Sequence, residues 1–185
     1  ILTSQDTGSD TSFSAAVGSA GDYYVFVQDD TFYSSAEYSL TATTTVSSIS
    51  GIETESNNSI LTADSLVRGS AIKGQLSSRS DYDYYKITAS SAGIIAVNFD
   101  GPTNSSYDYF KISLMDSSGN ILTSQDTGSD TSFSAAIGSA GDYYVKVQDD
   151  YYYSSAEYSL TATTTEGSTS GIETESNNSR STADS

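Results

Sequence analysis

The sequence predicts an all-β protein. Short segments alternate apolar and polar residues, turn residues separate them, and 15 of the 185 residues are Tyr, amid abundant Thr and Ser. Tyr and Thr suit pleated, half-buried surfaces. Eight short strands at such spacing make a sandwich or a barrel.

The strands are expected in order at 71–76 (AIKGQL) and 83–89 (DYYKITA), with a turn at Ser91-Ala92-Gly93. The segment 93–99 (GIIAVNF) leads to a turn at Gly101-Pro102-Thr103-Asn104. Then come 108–115 (DYFKISLM), the turn Ser117-Ser118-Gly119-Asn120, 120–125 (NILTSQ) and 131–137 (TSFSAAI). After Ala140-Gly141 follow 142–149 (DYYVKVQD) and 156–164 (AEYSLTATT). The stretch 59–67 (SILTADSLV) reads as one helical turn or an extended linker. In 142–149, alternation puts Tyr143, Val145 and Val147 inward and Tyr144, Lys146 and Gln148 outward.

An internal repeat tests these assignments. Residues 1–65 align with 121–185 without a gap and with nine differences, so the period is 120 residues. Position 146 is Lys where 26 is Phe, so it faces out. Position 137 is Ile where 17 is Val, which fits an inward site needing similar volume. Arg180 and Ser181 replace Ile60 and Leu61, which places that pair outside any obligatory core.

The repeat sets the expected domain plan. Residues 51–165 form one complete copy. Residues 1–45 are the back part of a preceding copy, and 171–185 the start of a following one. VSSIS (46–50) and EGSTS (166–170) read as linkers. A fragment such as 1–45 carries two or three strands, lacks its sheet partners and is marginal alone. The opening ILTSQD reads as mid-domain sequence rather than a signal peptide. The expectation is a window on a longer tandem array, in which neighbours supply the rest.

Lys plus Arg is 7 and Asp plus Glu is 24, giving a net charge of −17. Nucleic acid and anionic membranes would be repelled, whereas cations would be favoured. No apolar run approaches the roughly 18 residues of a membrane span. Cys and His are absent, which removes disulfides and the commonest catalytic bases and nucleophiles and disfavours zinc. The expected class is an acidic, non-catalytic, extracellular or cell-surface bacterial protein.

One ordered set of motifs is distinctive. E-x-E-x-N-N stands at 53–58, followed by Ala63-Asp64, G-x-L at 74–76 and D-x-D-Y-Y at 81–85. Asp116-Ser117-Ser118-Gly119, A-G-D-Y-Y-V-x-V at 140–147 and E-Y-S-L at 157–160 complete it. Over residues 51–165 this order resembles the bacterial pre-peptidase C-terminal domain family, which includes the collagen-binding domains of clostridial collagenases. The resemblance implies a jelly-roll-like antiparallel β-sandwich, non-catalytic, appended to secreted proteases or strung along surface proteins. It also implies calcium held between the segment before the first strand and the loop after it. Carried over, the ligands are Glu53, Glu55, Asn57 and Asn58 from the linker, with Asp81 and Asp83 from the loop. Gln75 occupies the position where family members use a hydroxyl, with Ser77 and Ser78 beyond. The repeated nonapeptide gives a second, partial set: Glu173, Glu175, Asn177 and Asn178.

The chemistry of these residues suits Ca²⁺, which takes six to eight oxygen ligands. Glu53, Glu55 and Asn57 share one side of an extended segment, and Asp81 and Asp83 repeat that spacing. Two carboxylates about 4 Å apart repel by roughly 4 kcal/mol at an effective dielectric near 20. A divalent ion relieves that repulsion and joins linker to domain. Plain solvated charge is the alternative for any one comb. The remaining acids, Asp149-Asp150 and Asp126 with Asp130, read as solvated.

Tyr144, Tyr151, Tyr152 and Tyr153 could form an exposed strip for a glycan or protein ligand, or be ordinary sheet and loop aromatics. Asn57, Asn104 and Asn177 each open an N-x-S sequon. The expected function is a calcium-stiffened structural repeat of a stalk, adhesin or filament, its partners being neighbouring repeats or identical subunits. The alternative is a collagen- or polysaccharide-targeting module of a secreted hydrolase.

Overall fold

The computed structural model describes residues 2–17, 20–45, 50–102 and 105–167. Among them nine strands form: β1 (Asp64–Ser65), β2 (Ile72–Gly74), β3 (Tyr82–Ala89), β4 (Gly93–Asp100), β5 (Ser105–Met115), β6 (Ile121–Gly128), β7 (Thr131–Ile137), β8 (Gly141–Asp149) and β9 (Tyr158–Glu166). They make two sheets, ordered β1-β3-β8-β5-β6 and β2-β9-β4-β7. Every pair is antiparallel except β1 with β3. The fold is an all-β sandwich with one core between the sheets, to which Ile87, Val145 and Ile112 contribute from one side and Val97, Leu160 and Ile137 from the other.

All eight expected strands are present, with ends shifted by a few residues. The stretch 59–67 holds both a 3-10 turn, Ile60–Thr62, and the short β1. Leu61 is exposed, in line with its replacement by Ser in the repeat. Ile137 is buried in the core. Lys146 faces out and lays its ammonium 4.2 Å from the Tyr82 ring centroid.

Tyr144 departs from the expectation. It stands off the core face, paired in register with Lys86 and Met115, yet it is buried. The reason is that β8 is the middle strand of its sheet, so side chains of β3 and β5 close over a large outward ring. Tyr144 is therefore not part of an exposed strip.

Residues 2–17 and 20–45 form no strand among the described residues, although their counterparts 121–165 build β6 to β9. Their contacts with the sandwich include a bridge between Val17 and Glu55 and the hydrogen bonds from Thr3 Oγ1 to Gln75 Oε1 (3.0 Å) and from Ser4 Oγ to the Ser77 carbonyl (3.3 Å).

Candidate metal centre

The site is assembled where the linker runs along β2. Ile52 pairs with Lys73, the Lys73 N–H donates to the Gly51 carbonyl (3.0 Å), and the Glu53 N–H donates to the Lys73 carbonyl (2.9 Å). This register sets the Glu53 carboxylate at the end of β2, where Oε1 accepts from the Gln75 N–H (2.5 Å). Thr54 turns towards Asp64 on β1, giving its N–H to Oδ2 (2.7 Å) and its hydroxyl to Oδ1 (2.5 Å). Asn57 is fully buried. Its carbonyl accepts from the Tyr84 N–H (3.1 Å), and its amide nitrogen donates to Glu53 Oε2 (3.3 Å). The linker is thereby fastened to β1, β2 and β3.

Asp83 comes from the other side. It is the second residue of β3, and the alternation that buries Tyr85 and Ile87 also turns Asp83 inward. It is a strand residue, not a loop residue, and it is fully buried. One carboxylate oxygen from each of Glu53, Glu55 and Asp83 lies within 4.8 Å of the others. Two oxygens on one Ca²⁺, each at roughly 2.4 Å, are at most about 4.8 Å apart.

Four buried side-chain oxygens have no hydrogen-bond partner among the described residues: Thr164 Oγ1 in β9, and three at this site, Glu55 Oε1, Asn57 Oδ1 and Asp83 Oδ1. Buried polar atoms are nearly always partnered, so each such orphan calls for an explanation. The three at this site are all acceptors, all belong to the predicted ligand set, and two of them belong to the carboxylate cluster. The donor set is oxygen alone, the ligand type that Ca²⁺ takes.

The electrostatics point the same way. Burial, then repulsion from Asp81 and Glu53, pushes Glu55 up to about 8. Burial raises Glu53 to about 7 against the hydrogen bonds it accepts. Asp83 is pushed up to about 10 by burial and then by Glu53. Without a cation the cluster resists ionising, and a cation would reverse that balance.

Other predicted ligands are engaged in hydrogen bonds. Asp81 is buried, but its Oδ2 accepts from the Ser77 N–H (2.6 Å) and its Oδ1 from the Tyr82 N–H (3.0 Å). It holds the loop and adds negative charge nearby. With its nitrogen turned to the neighbouring acceptors, the Asn58 amide donates to Asp81 Oδ1 (2.8 Å) and the Tyr82 carbonyl (3.0 Å). Asn58 thus latches linker to loop rather than facing the cluster. Gln75 points its amide nitrogen at the Ser155 carbonyl. Glu173, Glu175, Asn177, Asn178 and the sequon at Asn104 lie outside the described residues. The Asn57 nitrogen is enclosed by the fold and unavailable for glycosylation.

Sequence reasoning missed two tyrosines and an aspartate. The Tyr85 hydroxyl donates to Glu53 Oε2 (2.5 Å) and lies 2.6 Å from the Tyr158 hydroxyl, which is 2.5 Å from Asp83 Oδ2. Asp64, described above, positions Thr54. All three stand inside the quoted motifs. The signal that could have found them is their inward register on β3 and β9 and at the end of the linker.

The tyrosine strip also changes membership. Tyr151 and Tyr152 are exposed, whereas Tyr153 packs against the core and donates its hydroxyl to the Leu76 carbonyl (3.0 Å). Tyr107 is a new exposed member, its ring 5.1 Å from that of Tyr152. A register break in β5 between Ser105 and Phe110 lifts this residue out. Gly128 permits the arch, since a Cβ there would fall 1.8 Å from the Tyr107 carbonyl oxygen. Asp150 and Tyr152 tie it down through N–H bonds to the Tyr109 and Asp108 carbonyls (3.1 and 3.0 Å).

No family model and no curated protein matches the chain. Among solved structures it is similar to the pre-peptidase C-terminal domain of a collagenase from Bacillus anthracis. The two are 24% identical over 54% of this chain and 93% of that one, with a TM-score of 0.42. It is also similar to PliG of Aeromonas hydrophila, a periplasmic inhibitor of g-type lysozyme, at 13% identity, 56% and 97% coverage and a TM-score of 0.42.

Proposed function

We propose that residues 51–165 are a non-catalytic structural repeat of an extracellular stalk, adhesin or filament, stiffened by calcium between linker and sandwich. The observation that carries this reading is the convergence of three orphaned buried oxygens with the Glu53, Glu55 and Asp83 carboxylates. A cation there would tie residues 53–57 to β3, and so fix the angle at which a preceding unit leaves the sandwich. Near-identical copies suit a spacer, because each unit meets the same neighbour.

Calcium titration of the 185-residue chain tests it, with Glu55→Gln as control. We expect a dissociation constant of about 10⁻⁴ to 10⁻³ M, in the range of extracellular modules, and a higher melting temperature in calcium than in chelator. No heat of binding together with superimposable melting curves would end the calcium reading.

A second reading, a targeting module, is favoured by the arch that displays Tyr107, Tyr151 and Tyr152. Rings held by a register break and two backbone bonds lose little freedom on binding. Replacing Tyr107 and Tyr152 by Ala and measuring retention on insoluble collagen and polysaccharide tests it. Equal retention before and after the change would count against it.

A further inference from the structure

The described residues of the 2–45 stretch expose large apolar side chains whose complement can be identified. Positions 1–45 differ from 121–165 at only four places. In the sandwich that sequence supplies β6 to β8 whole and β9 but for its last residue. There Val145 and Val147 are fully buried and Tyr158 is 1% exposed, while their counterparts Val25, Val27 and Tyr38 are 50%, 49% and 69% exposed. The same residues, in the same order, are core in one place and solvated in the other.

We propose that residues 2–45 dock onto the β1–β5 half of another repeat of this protein, a segment like residues 51–120, and complete its sandwich. The inference rests on the repeat reading above and adds its partner and geometry. Main-chain ladders to that half's counterparts of β2, β3, β4 and β5 would supply affinity, as in strand addition to an exposed edge. Val25 and Val27 would enter the core as Val145 and Val147 do. Tyr38 would take the place of Tyr158, beside the carboxylate equivalent to Asp83, so docking would also complete the wall of a metal pocket. Val17 would leave its bridge to Glu55 for the site Ile137 holds in β7.

The chain's own β1–β5 half is a poor alternative. β6 to β9 already cover it, and the connection is short. Position 46 corresponds to Glu166, beside Gly93, whereas Ile52 is fixed beside Lys73, which pairs with Ser159. Seven residues along β9 and two strand spacings across amount to about 25 Å, and the six-residue step from 46 to 52 reaches about 22 Å fully extended. Self-docking would fray the end of the strand.

The test fuses a second copy of residues 51–120 ahead of residue 1 of the full chain and follows hydrogen exchange by mass spectrometry. Amides of 23–27 and 38–44 should exchange at least about 100-fold more slowly than in the unfused chain. Val25→Asp with Val27→Asp should abolish that gain and leave 143–147 protected. A protected monomer means docking within the chain and a protected dimer means docking between chains, and both support the proposal. Unchanged exchange of 23–27 and 38–44 overturns it. Calcium titration of the unfused chain keeps the two readings apart: binding without protection sinks docking alone, and protection without binding sinks the metal alone.

Discussion

Tyr85 and Tyr158 meet hydroxyl to hydroxyl at 2.6 Å between the buried carboxyl groups of Glu53 and Asp83. The chain Glu53–Tyr85–Tyr158–Asp83 has three short contacts. The Tyr85 hydroxyl donates to Glu53 Oε2 and the Tyr158 hydroxyl donates to Asp83 Oδ2. Burial pushes both phenols well above their usual range, so they keep those protons. Burial also pushes Asp83 up to about 10 and Glu53 up to about 7.

Removing one link should be costly. Tyr158→Phe keeps a ring that packs 5.2 Å from Phe99 and 5.8 Å from Phe110, and deletes only the hydroxyl. Asp83 Oδ2 and the Tyr85 hydroxyl then lose a buried partner. We expect a loss of about 1–3 kcal/mol in chelator, as for a buried group left unsatisfied, measured by urea unfolding. A loss below about 0.5 kcal/mol would show that the hydroxyl chain contributes little.

The pH dependence has a definite sign. Glu53, Glu55 and Asp83 have folded values above those of the unfolded chain, so the folded metal-free protein binds more protons. Their contribution is complete at and below about pH 4, near the ordinary carboxyl values, and is lost as pH rises, through 7 to 8 for the two glutamates and on towards 10 for Asp83. Calcium requires the ionised forms and competes with those protons. The rise in melting temperature on adding calcium should therefore be larger at pH 8.5 than at pH 5.5. Equal rises at both would contradict the assignment of this cluster as the ion's site.

Much of this was legible in the sequence, for physical reasons. Period-two alternation located the eight expected strands because each has one face on the core, and the Lys146/Phe26 exchange marked an outward position without a structure. The E-x-E-x-N and D-x-D words located the acidic cluster, since oxygen ligands must come from such residues. What was illegible depends on register and neighbours. Nothing local says that Asp81 serves backbone N–H groups while Asp83, two residues on, turns into the core. Nor does Tyr158, 75 residues from Asp83, announce its partner. Tyr144 misled because outward on a central strand is not the same as exposed.

Asp64 should act on calcium without touching it. It accepts from the Thr54 N–H and hydroxyl, and its Oδ2 lies 3.5 Å from the Asn57 amide nitrogen. Asp64→Ala frees the linker between Glu53 and Glu55 from β1. We expect calcium affinity to fall roughly tenfold, about 1.4 kcal/mol, with faster exchange of the amides at 53–57. Asp64→Asn retains an acceptor for the Thr54 N–H and should recover part of the affinity. If Asp64→Ala exchanged normally at 53–57 but lost calcium, Asp64 would instead be a ligand.

Gly74 is the tightest point behind the site. It lies in β2, paired with Tyr158, and a Cβ there would fall 2.3 Å from the Tyr85 hydroxyl oxygen and 2.5 Å from both the Tyr158 hydroxyl oxygen and its Cζ. Real Cβ atoms essentially never approach so closely, so something must move. Both rings are buried, Tyr85 in β3 and Tyr158 in β9, and neither can swing into solvent. The clash is with side chains, which leaves backbone conformation out of the account. Gly74→Ala should thus force the two hydroxyls apart, break the chain from Glu53 to Asp83 and shift Glu53 off the end of β2. Overpacking of this kind costs about 1–3 kcal/mol, and the broken hydroxyl contact adds about another 1 kcal/mol. The expected result is a lower urea midpoint in chelator and weaker calcium binding in the same variant. An unchanged midpoint with unchanged calcium affinity would mean that β2 can shift away from the tyrosine pair, and that the pair does not set the position of Glu53.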